Sequence, residues 1–329
     1  MPSFMDLPME IRAMILEKVI NGHRTPPISP STSNMTDVED MKYRATIISL
    51  RPYHEQRDTH SPSNSLPLLL TSRQVSMETQ SILNRMKITY VLDISVLDDQ
   101  FLFSTWISVP RLTIRLSTLH VNVRLFGRIL TAEEGDRQMG CGGRQGFHWC
   151  FYALLERFLA YGPVSPRKPH IDNYRISSYE CRDISVENLV LNFQSAETEL
   201  PYPPDDIMDY NGWCGKHSGS FRKNPGIDEA LSYKTRPEWL LWYLRSWLKQ
   251  ITTAYRGASY GKQIHERIGT ITMLVDGRLD TTIDLADTLA KLYLTGAPSE
   301  SELEWKKKTI LRREARGFPV VRPSDPERE

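Results

Sequence analysis

The residue types most suited to chemistry begin with a glycine-rich run from Gly140 to Gly146. The run precedes a predicted helix, and helix N-termini that follow glycine-rich loops commonly bind phosphate groups. However, a dinucleotide-binding loop follows directly on a strand, and a Walker loop ends in Gly-Lys-Ser/Thr. This run stands well apart from the preceding predicted strand, and Phe147-His148 follows it. A flexible loop therefore fits the run better than a nucleotide site does.

Cysteine and histidine form two groups in the sequence, Cys141 with His148 and Cys150, and Cys214 with His217. Tetrahedral zinc requires two closely spaced ligand pairs of the Cys-x2–4-Cys or His-x3–5-His type, and neither group has that form. A nucleophilic thiol would need a neighbouring group that lowers its pKa, which sequence does not show. The sequence also contains no Gly-x-Ser-x-Gly, His-Glu-x-x-His or kinase-type loop. We therefore expect no metal, no cofactor and no enzymatic activity.

The charge of the chain is balanced, with a formal net charge of +1, so no overall field favours nucleic acid or membrane as a partner. Lys306–Lys308 and Arg312-Arg313 are a local exception that could contact phosphates or act as a nuclear import signal. Acidic residues are interleaved with them, and no series of aromatic residues accompanies them, which favours a solvated helix face. The four irregularly spaced cysteines suit reduced thiols in the cytoplasm or nucleus. No apolar run is long enough to predict a membrane span.

Hydrophobic periodicity predicts a mixed fold, α+β or irregular α/β. Alternating or β-branched runs predict strands at 88–93, 119–126, 189–193 and 271–275. Helical spacing of apolar residues predicts helices at 98–108, 147–161, 237–255 and 283–294. Helices that alternate with strands favour parallel strands joined by helical crossovers. A degenerate leucine-rich-like array is the alternative, although the spacing is far longer than regular repeats of that class have.

The chain divides into four regions on these patterns. Residues 1–22 and 66–87 are predicted to form helices, and residues 23–65 are rich in Pro, Ser and Thr and predict a disordered or inserted loop. Residues 88–296 are the mixed α/β domain, in which substrate recognition would lie. Residues 297–329 comprise a charged surface helix over 302–316 and a free tail from residue 317.

The first helix starts at Pro8, in the first turn, where a missing backbone N–H is tolerated. Asp6, just ahead of it, is predicted to cap that turn. An apolar stripe follows at four-residue spacing and is widened by two further residues; it comprises Leu7, Ile11, Ile15 and Val19, with Leu16 and Ile20. Packing in the core and docking to a partner helix or groove both explain this stripe.

Two segments of the sequence together resemble an F-box. Residues 4–16 read FMDLPMEIRAMIL, a Leu-Pro-x-Glu-Ile sequence that opens an amphipathic helix. Residues 68–79 read LLLTSRQVSMET and are similar to the Leu-Leu-x-Thr-Cys-Arg-Gln segment of F-box-like proteins of filamentous fungi. Thr71 or Ser72 is predicted to cap a helix that runs to about Met86. The chain departs from the family in two ways: the long insertion separates the two halves, and the second half lacks the usual aromatic residue.

The resemblance implies a non-enzymatic adaptor. Its N-terminal helices would dock on the small adaptor subunit of a cullin-RING ubiquitin ligase of the SCF type, and its C-terminal domain would recruit an unidentified protein substrate. The residues expected to divide between this contact and the chain's own core are Leu7, Pro8, Ile11, Ile15, Leu16, Val19, Leu69 and Arg73. The main alternative is an interaction or scaffold protein that has kept the F-box-like fold without adaptor binding, and an enzyme is the third.

Overall fold

A mixed β-sheet is the centre of the fold. The computed structural model describes residues 3–31, 35–37, 52–55, 63–99, 101–129, 147–163, 171–172, 175–176, 182–195, 200–214, 233–253, 261–292 and 300–321. The strands within these ranges are β1 Met35–Asp37, β2 Pro52–Glu55, β3 Thr89–Leu97, β4 Phe101–Ser108, β5 Arg115–Phe126, β6 Ile171–Asp172, β7 Arg175–Ile176, β8 Ser185–Ser195, β9 Ile268–Val275 and β10 Arg278–Asp284. Strands β6 and β7 pair only with each other in the described structure.

The other eight strands form one sheet in the order β1-β2-β4-β3-β5-β8-β9-β10. Its central strands β3, β5, β8 and β9 are parallel and lie side by side in chain order. Strand β4 adds antiparallel to β3, and β10 adds antiparallel to β9. Parallel neighbours need a long connection between them. Helices lie within the connections from β5 to β8 and from β8 to β9, whereas the connection from β3 to β5 contains strand β4.

The helices lie mainly between the central strands and at the two ends of the chain. They are α1 Met9–Ile20, α2 Ser65–Leu69, α3 Arg73–Arg85, α4 Phe147–Tyr161, α5 Tyr210–Trp213, α6 Pro237–Thr253, α7 Lys262–Arg267, α8 Leu285–Lys291 and α9 Glu300–Ala315. A short 3-10 turn, Phe4–Asp6, precedes α1. Helices α4 and α6 bury their apolar sides against one face of the sheet, where alternate strand residues such as Leu119, Val121 and Val123 meet them.

The predicted fold class, a mixture of helices and strands, is confirmed. Three of the four predicted strands lie within β5, β8 and β9, and the fourth, 88–93, begins one residue before β3. Helix α4 has the predicted bounds, and α6 begins at the predicted Pro237 and ends at Thr253. Helix α8 starts two residues later than predicted because Ile283 and Asp284 still belong to β10. The leucine-rich-like alternative stays a prediction.

The helix predicted over 98–108 is wrong, because this segment forms the turn and second strand of a hairpin. Asp98 and Asp99 have φ values of 50° and 55°, which turn the chain directly after β3. Leu97 then pairs with Phe101, and β4 runs antiparallel to β3 as far as Ser108. Positive φ at two consecutive residues is the backbone of a hairpin turn and is incompatible with a helix start.

The C-terminal predictions are only partly correct. Helix α9 is present, but Trp305, Thr309 and Arg313 on it are buried, so it is not merely a surface helix. The predicted free tail also begins too early, because Phe318 is buried and packs its ring beneath the Arg313 guanidinium. Residues 322–329 lie outside the described structure.

The segment predicted as a disordered or inserted loop is partly built into the sheet. Strand β2 pairs in parallel with β4, and β1 pairs with β2 at the edge. Tyr53 of β2 stacks on Phe103 of β4, with 4.8 Å between ring centroids. The apolar residues within 45–50 could form a short strand on sequence grounds, but this stretch lies outside the described residues.

Ser72 caps α3, as the sequence predicts, because its hydroxyl accepts a hydrogen bond of 3.3 Å from the Val75 N–H. Replacing Ser72 with alanine leaves this N–H without its partner at the first helical turn. We expect the free energy of unfolding to fall by about 1 kcal/mol. Urea denaturation of the wild type and of Ser72→Ala measures this, with the exposed Ser81→Ala on the same helix as the control. An equal loss in both variants would contradict the cap.

Candidate functional site

Helices α1, α2 and α3 form a small N-terminal helical unit with its own apolar core. Five buried side chains make up this core, Leu16 and Ile20 from α1 and Val75, Ile82 and Leu83 from α3. Phe4, Ala13, Leu68, Leu69 and Met86 pack around them and are partly buried. The two halves of the sequence that resemble one motif therefore share one core, although the insertion separates them in the chain.

Arg12 determines which side of α1 faces this core. Its guanidinium is buried and pairs with Glu78 of α3, with 2.6 Å between Nη2 and Oε1. Nη1 also donates to the Leu7 carbonyl at 2.6 Å, which fixes the turn before the helix. The hydrogen bond from Arg12 lowers the pKa of Glu78 below its ordinary value, so the pair stays ionised at neutral pH. Arg12, Leu16 and Ile20 thus point inward together.

The consequence is an exposed apolar surface on the other side of α1, which we call the docking face. It consists of Ile11, Met14, Ile15 and Val19, whose exposed fractions are 43%, 66%, 40% and 45%. The predicted stripe over Leu7, Ile11, Ile15 and Val19 is therefore mainly exposed and does not pack in the core. Several large apolar side chains exposed together on one helix are uncommon unless the surface binds something.

The eight residues predicted for adaptor binding fall into three groups in the structure. Pro8, Ile11, Ile15, Val19 and Arg73 are exposed, whereas Leu7 and Leu69 are half-buried. Leu16 is only 2% exposed and belongs to the core of the helical unit, so its side chain does not reach a partner. Met14, which the sequence analysis did not select, is the most exposed member of the docking face; its position three residues after Ile11 is the signal that would have identified it.

The predicted cap on α1 is wrong. Asp6 lies in the preceding 3-10 turn, where its carboxylate accepts the Ser3 N–H at 2.6 Å. Pro8 is itself the N-cap residue of α1, and no side chain caps the helix there. The first turn of α1 therefore lacks a side-chain cap.

Hydrogen bonds attach the helical unit to the sheet at the point where the insertion leaves and returns. The Asn64 side-chain amide donates to the Ile20 and Gly22 carbonyls at 2.9 and 2.8 Å. The Asn64 N–H donates to Val109, and the Arg24 N–H donates to Ile107 at the end of β4. The two ends of the insertion are thus held together, which keeps α1 next to α2 and α3.

The sheet face away from α4 and α6 carries a row of polar side chains that the sequence analysis did not select. The Asn122 Oδ1 atom accepts from Asn192 at 3.4 Å and lies 3.1 Å from His120 Nε2. Beside it, Arg124 pairs with the buried Asp93 at 2.5 Å and donates to the Pro27 carbonyl at 2.8 Å. The alternation of apolar and polar residues along β5 predicts that these polar side chains face away from the core. The sequence of one strand does not show which side chains of the neighbouring strands they contact. The hydrogen bond from Arg124 to Pro27 attaches the chain at residue 27 to the sheet.

The groups that suggested chemistry do not assemble in the described structure. Cys141, His217 and the run from Gly140 to Gly146 lie outside the described residues. His148 is buried among aromatic rings, with 5.0 Å between its ring centroid and that of Trp247, and the Cys150 side chain is also buried. Within the described ranges, no three His, Cys, Asp or Glu side chains come together as metal ligands.

The basic residues of α9 contact carbonyl groups of the chain itself. Arg313 donates to the His265 and Ile268 carbonyls at 2.5 and 2.8 Å, and Lys306 donates to the Ala290 and Leu292 carbonyls at 3.0 Å. Arg312 pairs with Glu266 at 2.5 Å. Three of the basic side chains that could contact phosphates, Lys306, Arg312 and Arg313, therefore make contacts within the chain itself.

Comparison of the chain with protein-family models, with curated protein sequences and with solved structures finds no match. In the described part of the chain, no helix combines the length and the apolar character that crossing a membrane requires.

Proposed function

We propose that the chain is a non-enzymatic, F-box-like substrate adaptor. The docking face of α1 binds the small adaptor subunit of a cullin-RING ubiquitin ligase, and the α/β domain recruits a protein substrate. The single observation that carries this proposal is the exposure of Ile11, Ile15 and Val19 while Arg12 and Leu16 turn inward. Because cullin-RING ligases act in the cytoplasm and nucleus, the proposal implies that this protein acts in one or both of these compartments.

The docking face suits a helix-in-groove contact. Ile11, Ile15 and Val19 are spaced four residues apart, so they form one row along the helix surface, and Met14 widens it. Insertion of such a row into an apolar groove is a recurring way in which helices recognise partners. Methionine adapts its shape to the groove more easily than branched residues do. The proposed contact therefore needs no residue from the core of the helical unit.

The geometry of the helical unit also supports the resemblance on which the proposal rests. The Leu-Pro-x-Glu-Ile sequence opens α1, and the second similar segment spans α2 and the start of α3. Both segments meet in one core, and the Asn64 contacts bring the ends of the insertion together. A long inserted loop between fixed ends adds only about 0.6 kcal/mol of closure entropy for each doubling of its length. The insertion is thus compatible with an intact helical unit.

The function would be one of proximity. A protein that holds a ligase subunit with one surface and a substrate with another raises their effective concentration, and the transfer chemistry belongs to other subunits. Hydrogen bonds from Asn64 and Arg24 attach the end of α1 to the sheet. This attachment suits the role, because it would fix the position of the substrate domain relative to the ligase.

An interaction or scaffold protein without ligase binding is the second candidate. The observation that favours it is that Leu16 lies inside the helical unit and Leu69 is half-buried, so part of the implied contact set serves the chain's own core. In that case the docking face binds a different protein.

The test is direct binding of the purified protein to the ligase adaptor subunit, measured by biolayer interferometry. Ile11→Asp together with Ile15→Asp places two charges in the centre of the docking face, and we expect binding to weaken about a hundredfold or more. Leu311→Asp is the matched control, because Leu311 is an exposed apolar residue on α9, outside the helical unit.

Circular dichroism establishes that each variant is folded, since both sites are exposed. If the folded double variant bound as tightly as the wild type, docking through α1 would be ruled out. If the wild type itself did not bind the ligase adaptor, the scaffold candidate would replace the ligase proposal.

A further inference from the structure

The loop between β4 and β5 exposes two large aliphatic side chains between two arginines. It covers residues 109–114, and its Leu112 and Ile114 side chains are 40% and 53% exposed. Arg111 and Arg115 flank this pair in the sequence, and Arg115 is exposed at the first position of β5. Surfaces that bind other proteins are enriched in arginine and place it beside apolar side chains. The loop therefore has the composition of a protein-binding surface.

Hydrogen bonds to the sheet fix the backbone of this loop. The Tyr90 hydroxyl donates to the Arg111 carbonyl at 2.6 Å and accepts the Thr113 N–H at 3.0 Å. Ser185, at the start of β8, donates its N–H and its hydroxyl to the Ile114 carbonyl at 2.8 and 3.3 Å. A surface that is ordered before it binds loses little conformational entropy in the complex, which favours affinity.

Arg182, just ahead of β8, adds a positive charge beside the loop. The backbone brings it there, because Ser185, three residues further on, pairs with Arg115 of β5. The Arg182 residue is exposed. Its charge and that of Arg111 both act on the Tyr90 hydroxyl, where they oppose the burial that raises the pKa of Tyr90 to about 12. The arginines thus surround the same exposed aliphatic pair.

The acidic residue at this edge of the sheet, Asp183, is already neutralised. Its carboxylate pairs with Arg267 at 2.9 Å and also with Arg316. Arg115 makes one hydrogen bond in the described structure, a long one of 3.5 Å to the Ala315 carbonyl. Within the described ranges no carboxylate pairs with Arg115, so its charge is available to a partner.

We infer that this surface binds an acidic segment of another protein in which aliphatic side chains lie between carboxylates. Leu112 and Ile114 pack against the aliphatic side chains of that segment, and Arg115 and Arg182 donate to its carboxylates. These four residues are called the arginine–leucine surface below. A planar guanidinium suits this role, because it donates two parallel hydrogen bonds to one carboxylate. Opposite charges on the two partners also speed their encounter.

The surroundings favour a protein over a nucleic acid as the partner. Proteins that bind single-stranded nucleic acid stack its bases on aromatic rings, and residues 111–115 include no aromatic residue. The formal net charge of +1 also gives no general attraction for a phosphate backbone. Exposed aliphatic side chains contribute little to phosphate contacts, whereas an acidic protein segment with aliphatic residues would bury them.

The identification of this partner as the recruited substrate rests on the proposed function, whereas the binding itself does not. The arginine–leucine surface lies outside the docking face and shares no residue with it. The folded variant with Ile11→Asp and Ile15→Asp should therefore bind the acidic segment as the wild type does. Conversely, Arg182→Glu should bind the ligase adaptor subunit as the wild type does, so the two proposals fail separately.

The test measures binding of a fluorescein-labelled peptide, Glu-Asp-Leu-Glu-Leu-Asp-Glu, to the full-length protein by fluorescence anisotropy at low salt. We expect saturable binding that Arg115→Glu and Arg182→Glu each weaken about tenfold, because each change places a like charge opposite the peptide. A peptide with serine in place of both leucines should also bind about tenfold more weakly, since it loses the aliphatic contacts.

Arg278→Glu is the matched control. Arg278 is also an exposed arginine, but it starts β10 opposite Val275, at the carboxyl end of β9. The loop lies at the other edge of the sheet, where β5 begins. The same change of charge at Arg278 should therefore leave the affinity for the peptide unchanged.

Circular dichroism establishes that the variants are folded, since all three sites are exposed. The inference is overturned if the wild type shows no saturable binding, or if the folded Arg115→Glu and Arg182→Glu variants bind the peptide as tightly as the wild type. Equal binding of the serine peptide would also overturn it, because the aliphatic contacts would then play no part. Tighter binding of oligothymidylate than of the peptide, weakened by the same two variants, would assign the surface to nucleic acid instead.

Discussion

Replacing Leu16 with alanine is expected to lower the free energy of unfolding by about 2 to 5 kcal/mol. Leu16 is 2% exposed at the centre of the helical unit, where it packs with Val75, Ile82 and Leu83. Truncation removes its buried methyl groups from this core and leaves a cavity that the three helices fill only in part. Urea denaturation followed by circular dichroism measures the loss.

The adjacent Ile15 provides the matched control. It has a similar volume, belongs to the same helix and is 40% exposed on the docking face. Ile15→Ala should change the free energy of unfolding by no more than about 0.5 kcal/mol, as exposed positions away from special contacts usually do. Because the two residues differ chiefly in the direction they face, the comparison tests the orientation of α1. Equal losses in both variants would show that Ile15 packs in the core and would remove the basis of the proposed docking face.

That orientation was not readable from the sequence. Apolar residues surround α1 on most of its circumference, so spacing alone gives no unique inward side. The contact that decides it joins Arg12 to Glu78, sixty-six positions apart in the chain. Arg12 faces the core although it is charged, whereas a hydrophobic pattern assigns charged residues to the solvent-exposed side of a helix. The predicted stripe is therefore not one face: Leu16 and Ile20 face the core, whereas Ile11, Ile15 and Val19 are exposed.

Elements with a strong local signal were predicted well. In α4, apolar side chains recur at helical spacing over the whole of residues 147–161, and in β5 buried and half-buried residues alternate as the sequence does. Such elements need no distant partner to define their type, since one face must meet the core in either case. Their order then made parallel strands with helical crossovers the simplest arrangement.

Elements that depend on a turn or on a distant contact were missed. The hairpin of β3 and β4 depends on positive φ at Asp98 and Asp99. In a sequence, aspartate indicates positive φ much less clearly than glycine does. The burial of Phe318 depends on Arg313, whose own partners are carbonyls near residues 265–268. The loop at Arg111 and Leu112 likewise lies beside α2 and α3, and no local pattern predicts this arrangement.

The C-terminal contacts lead to the second prediction, which concerns acid stability. His265 is fully buried, its Nε2 lies 3.0 Å from the Thr252 carbonyl, and its ring meets Trp305 of α9 edge to face. Burial is the main cause that lowers the pKa of His265 to about 4, and repulsion of the imidazolium by the nearby Arg313 and Lys306 contributes to this shift. The folded protein therefore holds this imidazole neutral, whereas the unfolded chain protonates it near pH 6.5.

The sign of the pH dependence follows from which state binds more protons. Between pH 6.5 and pH 4 the unfolded chain binds the proton and the folded chain does not, so acidification favours unfolding. The stabilising contribution is complete above pH 6.5 and is lost as the pH falls to about 4; over a shift of this size it amounts to about 3 kcal/mol. Protonation would also place a third cation beside Arg313 and Lys306, which weakens the contact of α9 with α7.

His265→Gln isolates this effect from the titration of carboxylates elsewhere. The glutamine amide donates to the Thr252 carbonyl as the imidazole does, but it carries no titratable proton. Urea denaturation from pH 7.5 to pH 4.5 should therefore show a steeper loss of stability in the wild type than in His265→Gln, because only the wild type gains a proton at this position on unfolding. Parallel curves for the two proteins would mean that His265 has an ordinary pKa, and the packing of α9 against it would then have to leave the imidazole accessible to solvent.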